Sequence, residues 1–422
     1  MSSGVQRPYY GWIIVAASFF VTTITSASGY TFGVFLPPWR ETFDWSAAAV
    51  SGAYSVCIFF YTGLGVVAGW GVDKYGPKVT TMTGGLLLVS GLLLTSQVNA
   101  LWQLYVTYGL IGMGMSSTYS PLMTTALRWF TKRKGLALGI IGSGISAGPL
   151  IMAPLATYII LNYGWRFCFK FMGCIAGLII FVALMLRRGP EARSMFPTGK
   201  GDSRSVSEPQ PKIGNPISES NDFSLKEAAG TKAYWMLGGA FLMVGTGLQM
   251  VLVHIVSYSQ IQGTSPLIAA TVLSIITGSS IAGRIIMGIV SDRIGRKTTL
   301  IFCVFLEGTM IMWLTWASSS WMLFVFAAFF GFGYGGHGTQ FPALTGEIFG
   351  LGHMGAILGA VVFFWGMGSA LGATMAGYIF DMTGSYRGAF MTGAAAMLMA
   401  GATTIFLSKP VKGRRLNLGR TR

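Results

Sequence analysis

The chain has 422 residues, 52% hydrophobic and only 10% charged. Soluble domains carry about 25% charged residues, so a water-soluble fold is excluded. Continuous apolar runs that do not alternate exclude a membrane β-barrel. The net charge of +16 does not require nucleic acid, and no nucleic-acid partner is expected, because the charge follows the topology below.

Runs of about 20 apolar residues are long enough to cross a bilayer. Twelve fit, at roughly 11–36, 48–71, 79–98, 101–126, 135–160, 167–186, 234–260, 266–290, 298–317, 320–345, 353–380 and 388–408. The first, from Trp12, is too long for the core of a signal peptide and leads into further spans. A segment rich in Ser, Pro, Gly, Lys and Glu divides the chain. It reads as a flexible linker in which FSLKEAA forms a short surface helix. The expected division is a six-helix bundle over 1–187, a cytoplasmic linker over 188–232, a second six-helix bundle over 233–408 and a cytoplasmic tail over 409–422. On this topology 24 of the 29 Lys and Arg lie on one side. Arg40, Arg166, Lys170 and Arg387 lie on the other, and Arg284 falls inside a span. The positive-inside rule then puts both termini in the cytoplasm of a multi-pass protein of the cell's inner (plasma) membrane.

The halves repeat. GWGVDKYGPK (Gly69–Lys78) matches GIVSDRIGRK (Gly288–Lys297) at an offset of 219, as Gly112 and Gly114 match Gly331 and Gly333. Gly135, Gly139, Gly148 and Tyr158 match Gly355, Gly359, Gly368 and Tyr378 at an offset of 220. Three regions at nearly one offset make chance a poor explanation and imply six plus six spans by duplication. In the doubled motif, Gly69 and Gly288 are expected to let helices approach closely. Asp73 and Asp292 could pair with a cation or a helix N-terminus. Lys74 and Arg293, with the turn glycines Gly76 and Gly295, complete a candidate conformational latch.

This motif resembles the signature loop of the major facilitator superfamily. YYGWIIVAASF and GVFLPPW in the first span and RWFTKRKGLALGI before the fifth are similar to its monocarboxylate transporter and oxalate–formate antiporter branch. Bacterial proton-coupled lactate transporters have the most similar overall look. The match covers nearly the whole chain except the linker. The resemblance implies an all-α fold of twelve transmembrane helices in two pseudo-symmetric bundles, alternating-access transport of small organic anions, and an arginine in the eighth span that holds the carboxylate. Arg284 occupies that position.

From the residues alone, a lone cation at membrane depth is a functional-site candidate, and guanidinium offers a planar, bidentate fork to a carboxylate. The plain alternative is an ion pair with Glu307, the one acid well inside a span. Glu307 is a candidate proton carrier, although a hydrogen-bonded structural role is preferred. His254, in LQMVLVHIVSY, could contact substrate, titrate with transport, or simply sit satisfied at a helix interface. His337 is a weaker candidate. Tyr119 (SSTYSP) and Tyr334 (GFGYGG), flanked by small residues, could each line a pocket or fill a gap. Ser28 is a further candidate contact. Phe363, Phe364 and Trp365 form an aromatic cluster in the eleventh span.

Two departures from the branch matter. Mammalian members carry an aspartate where this chain has Ser280, and a lysine in the first span, where this chain has no cation between Trp12 and Pro38. The oxalate exchanger adds an eleventh-span lysine that is absent here. One buried cation balances one carboxylate, whereas a dianion would stay uncompensated. Cys57, Cys168, Cys174 and Cys303 have no metal-binding spacing, and no nucleophile–base pair appears. No cofactor, metal or enzymatic activity is expected. The expected function is symport of a small monocarboxylate anion (L-lactate or pyruvate) with a proton across the lipid bilayer. Exchange of formate, oxalate or an aromatic acid is the alternative, and an anion-sensing membrane protein is a third reading.

Overall fold

The computed structural model describes residues 10–117, 122, 123, 125, 134–186, 223–350 and 354–410, without the side chains of 66, 73, 134–136, 138, 354 and 355. The described residues are helical with short connections and no strand. This is what a chain of apolar runs must do in lipid, where backbone polar groups can only be satisfied internally. Among the described residues nine helices are long and apolar enough to cross a membrane. The first span is Tyr10–Tyr30 continued by Phe32–Phe43, and the second is Ala47–Gly63 continued by Gly65–Tyr75. The third is Pro77–Thr95, the fourth begins as Leu101–Ser116, the fifth is Lys134–Tyr163 and the sixth Trp165–Ala183. The seventh to twelfth are Lys232–Ile261, Pro266–Ile294, Arg296–Leu314, Ser320–Phe349, Met354–Thr383 and Arg387–Ile405. The interruptions at Thr31 and Leu64 fall inside runs that read as continuous.

Local signals set the ends. Ser46, Ser265 and Thr231 are N-caps whose side chains accept from Ala49, Ile268 and Tyr234 N–H, as small hydroxyl residues do at helix starts. The expected surface helix is Leu225–Ala229, held by a Ser224–Glu227 capping box. Phe223 N–H donates to Phe349 O at 3.0 Å and ties this helix to the end of the tenth span.

The two halves pack alike. The first span lies on the fifth as the seventh lies on the eleventh. The second, third and fourth cluster as do the eighth, ninth and tenth, and the third meets the sixth as the ninth meets the twelfth. The duplication reaches single contacts. A Cβ at Gly112 would strike Cys57 O, and one at Gly331 would strike Ile276 O, each residue 219 positions on from its counterpart. Gly114 packs on Gly84 and Leu88, and Gly333 on Cys303 and Glu307, again 219 positions on.

The motif turns also match. Gly76 and Gly295 have φ of +92° and +89°, a conformation that side chains resist. Lys297 Nζ donates to Ile405 O (2.7 Å) and Leu407 O (2.8 Å), a cation at a helix C-terminus. Asp292 and Arg293 are exposed, and the Asp73 side chain lies outside the described residues. A Cβ at Gly69 or Gly288 would meet nothing within 4 Å, so the close approach expected of these glycines is not made in this conformation.

The halves face each other through the second and eleventh spans and through the fifth and eighth. Contact concentrates at the end away from the basic loops. There Asp381, at the end of the eleventh span, accepts from Ala47 N–H (2.9 Å) and Ala48 N–H (2.7 Å) in the first turn of the second span. A Cβ at Gly377 would come within 2.7 Å of the Ala47–Ala48 peptide. Deeper in, Ser55 Oγ meets Thr374 Oγ1 at 2.7 Å and Ala370 O at 2.6 Å. Toward the basic end, Gly63, Gly65 and Gly139 have open space where a Cβ would stand. The carboxylate meets a helix N-terminus, where negative charge is favoured. Asp381→Asn should weaken this closure by about 1 kcal/mol, roughly a fivefold shift toward the opened end. Faster thiol labelling of Ala48→Cys in the Asp381→Asn background checks it, and an unchanged rate counts against a latch.

Candidate functional site

The backbone crossing of the eighth and tenth spans positions Arg284. A Cβ at Gly283 would strike Phe332 O, and one at Gly335 would strike Ser280 O. These glycines let the two helices touch main chain to main chain. Arg284 follows directly and is part-buried. Its Nη1 and Nη2 each lie 4.0 Å from where a Cβ would stand at Gly142 of the fifth span and Gly338 of the tenth. The guanidinium therefore sits between the halves, flanked by two residues without side chains. Its Cζ lies 5.8 Å from the centroid of the Tyr334 ring, within cation–π range. Its Nε is buried without a hydrogen-bond partner.

Among the described residues the two ion pairs are His337–Glu307 and Lys409–Glu347, so Arg284 has no carboxylate partner. Ser280, one turn earlier, bonds Ser146 Oγ of the fifth span at 2.7 Å. Glu307 is instead bonded to His337 Nδ1 at 2.6 Å through Oε1, and its Oε2 has no partner.

His254 is fully buried at the closed end. Nε2 lies 2.9 Å from Ala373 O and 3.3 Å from Ser51 Oγ, and Nδ1 lies 3.2 Å from the Tyr386 hydroxyl. A carbonyl only accepts, which assigns the ring proton to Nε2. His254 thus joins the seventh, eleventh and second spans and does not share Arg284's neighbours. Ser28 Oγ donates to Ile24 O at 3.0 Å, and Ser28 lines an apolar groove with Met172 and Ile175 of the sixth span. It is not among the groups that converge on Arg284. Tyr119 lies outside the described residues. Phe364 packs on Gly238 of the seventh span, 3.0 Å from its Cβ position.

The structure adds residues the sequence reading missed. Tyr30 of the first span lies within electrostatic range of Arg284, Tyr334, Tyr61 and Tyr54. Tyr30 and Tyr61 line a pocket with Thr22, Thr25, Ser26, Met115 and Ile145. Gln249 is fully buried in the seventh span beside Tyr54, and its amide makes no hydrogen bond of good geometry. A buried amide left unsatisfied is costly and marks a place for water or ligand. The available signals were the seven-residue spacing of Tyr54 and Tyr61, which shares a helix face, and a mid-span amide in an apolar run. The arrangement is a wedge between the halves with one cation, several phenols and, among the described residues, no acid paired with that cation, suited to a small anion with an apolar body.

The family model of the Major Facilitator Superfamily matches residues 18–306 and 235–422. Monocarboxylate transporter 13 of Rattus norvegicus is 28% identical over 396 residues, 93% of this chain and 87% of that one. The oxalate:formate antiporter of Oxalobacter formigenes is 28% identical over 421 residues, 95% and 93% of the two chains. A bacterial homologue of the human lysosomal transporter Spinster, solved inward-facing and unoccupied, superposes with a TM-score of 0.72 at 13% identity, covering 95% of this chain and 96% of that one. The repeated six-helix architecture and these matches agree: the chain is similar along most of its length to monocarboxylate transporters and an oxalate:formate antiporter, belongs to the Major Facilitator Superfamily, and is a multi-pass membrane transporter rather than an enzyme.

Proposed function

We propose that the chain carries small monocarboxylates, L-lactate or pyruvate, together with a proton by alternating access. The observation that carries this reading is Arg284, a cation between the halves with no acid beside it and an unpartnered Nε. One carboxylate neutralises it, and closing a dry cavity around a neutral pair costs less than closing it around a bare charge. Tyr334 and Tyr119 supply polar contacts around the anion, and Glu307 and His254 are the groups able to carry the proton. His254 acts at the closed end, where opening must break its contact with Ser51 of the other half while its bond to Ala373, in its own half, can persist. Ser28 has no part in this scheme, because its hydroxyl is committed to Ile24 O.

The halves, 1–187 and 233–408, rock about the two inter-half seams, joined by the linker 188–232 and followed by the tail 409–422. With the basic loops and both termini in the cytoplasm of the plasma (bacterial inner) membrane, the closed end faces outward and the cavity opens inward.

Counterflow in proteoliposomes tests the substrate class. Labelled L-lactate should be driven in by internal lactate or pyruvate and at least tenfold less by oxalate, whose second charge finds no further cation at mid-span depth among the described residues. The likeness to an oxalate:formate antiporter favours a second reading, exchange of formate or oxalate. Oxalate driving counterflow as well as lactate does would establish that reading instead.

A further inference from the structure

We propose that Glu307 and His337 together form the protonation site that couples transport to the proton gradient, acting on the anion at Arg284 through Tyr334. This inference rests on the monocarboxylate–proton reading above and names the groups that would serve it.

Among the described residues Glu307 is the acid that is fully buried inside a span. Its Oε1 bonds His337 Nδ1 at 2.6 Å, and its Oε2 is buried with no partner. Packing does not call for a carboxylate here. The duplicated scaffold has Leu88 at the equivalent position, 219 residues earlier, held against Gly114 as Glu307 is held against Gly333. The His337 position corresponds to Thr118. A buried ionisable pair is commonly no more stable than a well-packed apolar replacement. In the other half, an apolar leucine, Leu88, stands at the carboxylate's position and an uncharged threonine at the imidazole's. The polar pair is therefore a departure from the scaffold's own solution, confined to the half that carries Arg284.

The pair is also placed to sense the anion. The His337 ring lies 5.7 Å from the Tyr334 ring, and Tyr334 lies 5.8 Å from the Arg284 guanidinium. With a single shared proton the pair is neutral. A second proton from solvent leaves Glu307 as the neutral acid, with the added hydrogen on a carboxyl oxygen, and His337 as imidazolium, a net charge of +1. A bare Arg284 opposes that charge, and a carboxylate bound to Arg284 removes the opposition. Over a separation on the order of 10 Å in a protein interior, the effect is about tenfold in proton affinity. By linkage the proton strengthens anion binding by the same factor. When the anion leaves, the pair releases its second proton on the same side, so anion and proton move together.

Other titratable groups are few on the elements packed around Glu307. Cys303 lies on its own span, Tyr334 and His337 on the tenth, and Arg284 on the eighth. The twelfth has none between Arg387 and Ile405. On the seventh, Tyr258 is committed to Leu314 O and Ala317 O at the far end of the ninth span, and His254 to the closed end.

The test uses the full chain in proteoliposomes, with labelled L-lactate followed in two ways: uptake driven by an inward proton gradient, and counterflow at equal pH. Wild type should show gradient-stimulated uptake. Glu307→Gln keeps the size and the bond to His337, takes up no proton itself and removes the carboxylate that supports a proton on the buried imidazole. It should lose gradient stimulation by tenfold or more while keeping counterflow at saturating lactate within about threefold of wild type. His337→Gln should behave alike. Glu307→Leu, copying Leu88 of the other half, replaces the glutamine variant should the latter not fold. Gradient stimulation surviving in these variants alongside wild-type flux overturns the coupling site alone. Loss of counterflow together with uptake in folded variants also overturns it, since a proton site need not serve exchange. Absence of any lactate flux in wild type overturns the transport reading and this inference with it.

Discussion

Replacing Arg284 by alanine is expected to abolish L-lactate uptake while leaving the protein folded. A bidentate pair between guanidinium and carboxylate contributes two charge-assisted hydrogen bonds, each about 1.5–3 kcal/mol. Losing both weakens binding by roughly 100-fold or more, because each 1.4 kcal/mol is tenfold. The fold should not suffer, because among the described residues the side chain has no acid to leave unpaired and its Nε is already without a partner. An unpaired cation between helices is a cost to the empty protein rather than a support. Thermal unfolding of Arg284→Ala in detergent should therefore occur at or above the wild-type temperature. Arg284→Lys should recover only part of the uptake, because an ammonium is a point charge without the fork and stands farther from the Tyr334 ring. Wild-type uptake by Arg284→Ala would sink the assignment, whatever the behaviour of the lysine variant.

Arg284 was legible in the sequence because charge inside an apolar run is conspicuous without any knowledge of neighbours. The same holds for Glu307. The duplication was equally legible, since glycines that bring backbones together recur at a fixed offset, and Gly112 and Gly331 both meet a carbonyl. What each buried group touches was not legible. Glu307 and His337 are 30 residues apart and meet because two antiparallel helices pair. Asp381 and Ala47 are separated by 334 residues and meet because two halves close on one another. The partners of His254 likewise come from two other spans and the Tyr386 turn. These contacts belong to one conformation of a moving protein, and hydropathy pattern carries no information about which conformation the chain adopts. Tyr30 illustrates a different limit. It stands in the same small-residue segment as Ser28, but the two face opposite ways, Tyr30 toward the phenols around Arg284 and Ser28 toward the sixth span.

Gly335→Ala should be among the most damaging single-methyl changes in the carboxyl-terminal half. A Cβ there would strike Ser280 O and come within 2.7 Å of its carbonyl carbon and 2.8 Å of its Cα. The obstacle is main chain on a packed helix, so no rotamer change relieves it. The eighth and tenth spans would have to separate by roughly 1 Å, in an interior packed as densely as an organic crystal. Overpacking of this kind costs about 1–3 kcal/mol, and a clash with backbone falls at the upper end. The displacement also moves the machinery. Ser280 bonds Ser146 across the halves, and Arg284 lies one turn further along the same helix, opposite Tyr334 of the helix it would be pushed from. The expected outcome is a lower unfolding temperature and lactate uptake reduced at least tenfold, even in the fraction that folds. Gly239→Ala is the control, because a Cβ there meets nothing within 4 Å. It should unfold and transport as wild type does. A wild-type unfolding temperature and uptake rate for Gly335→Ala would mean that the crossing is looser than drawn. Arg284 would then owe its position to something other than the contact of these two helices.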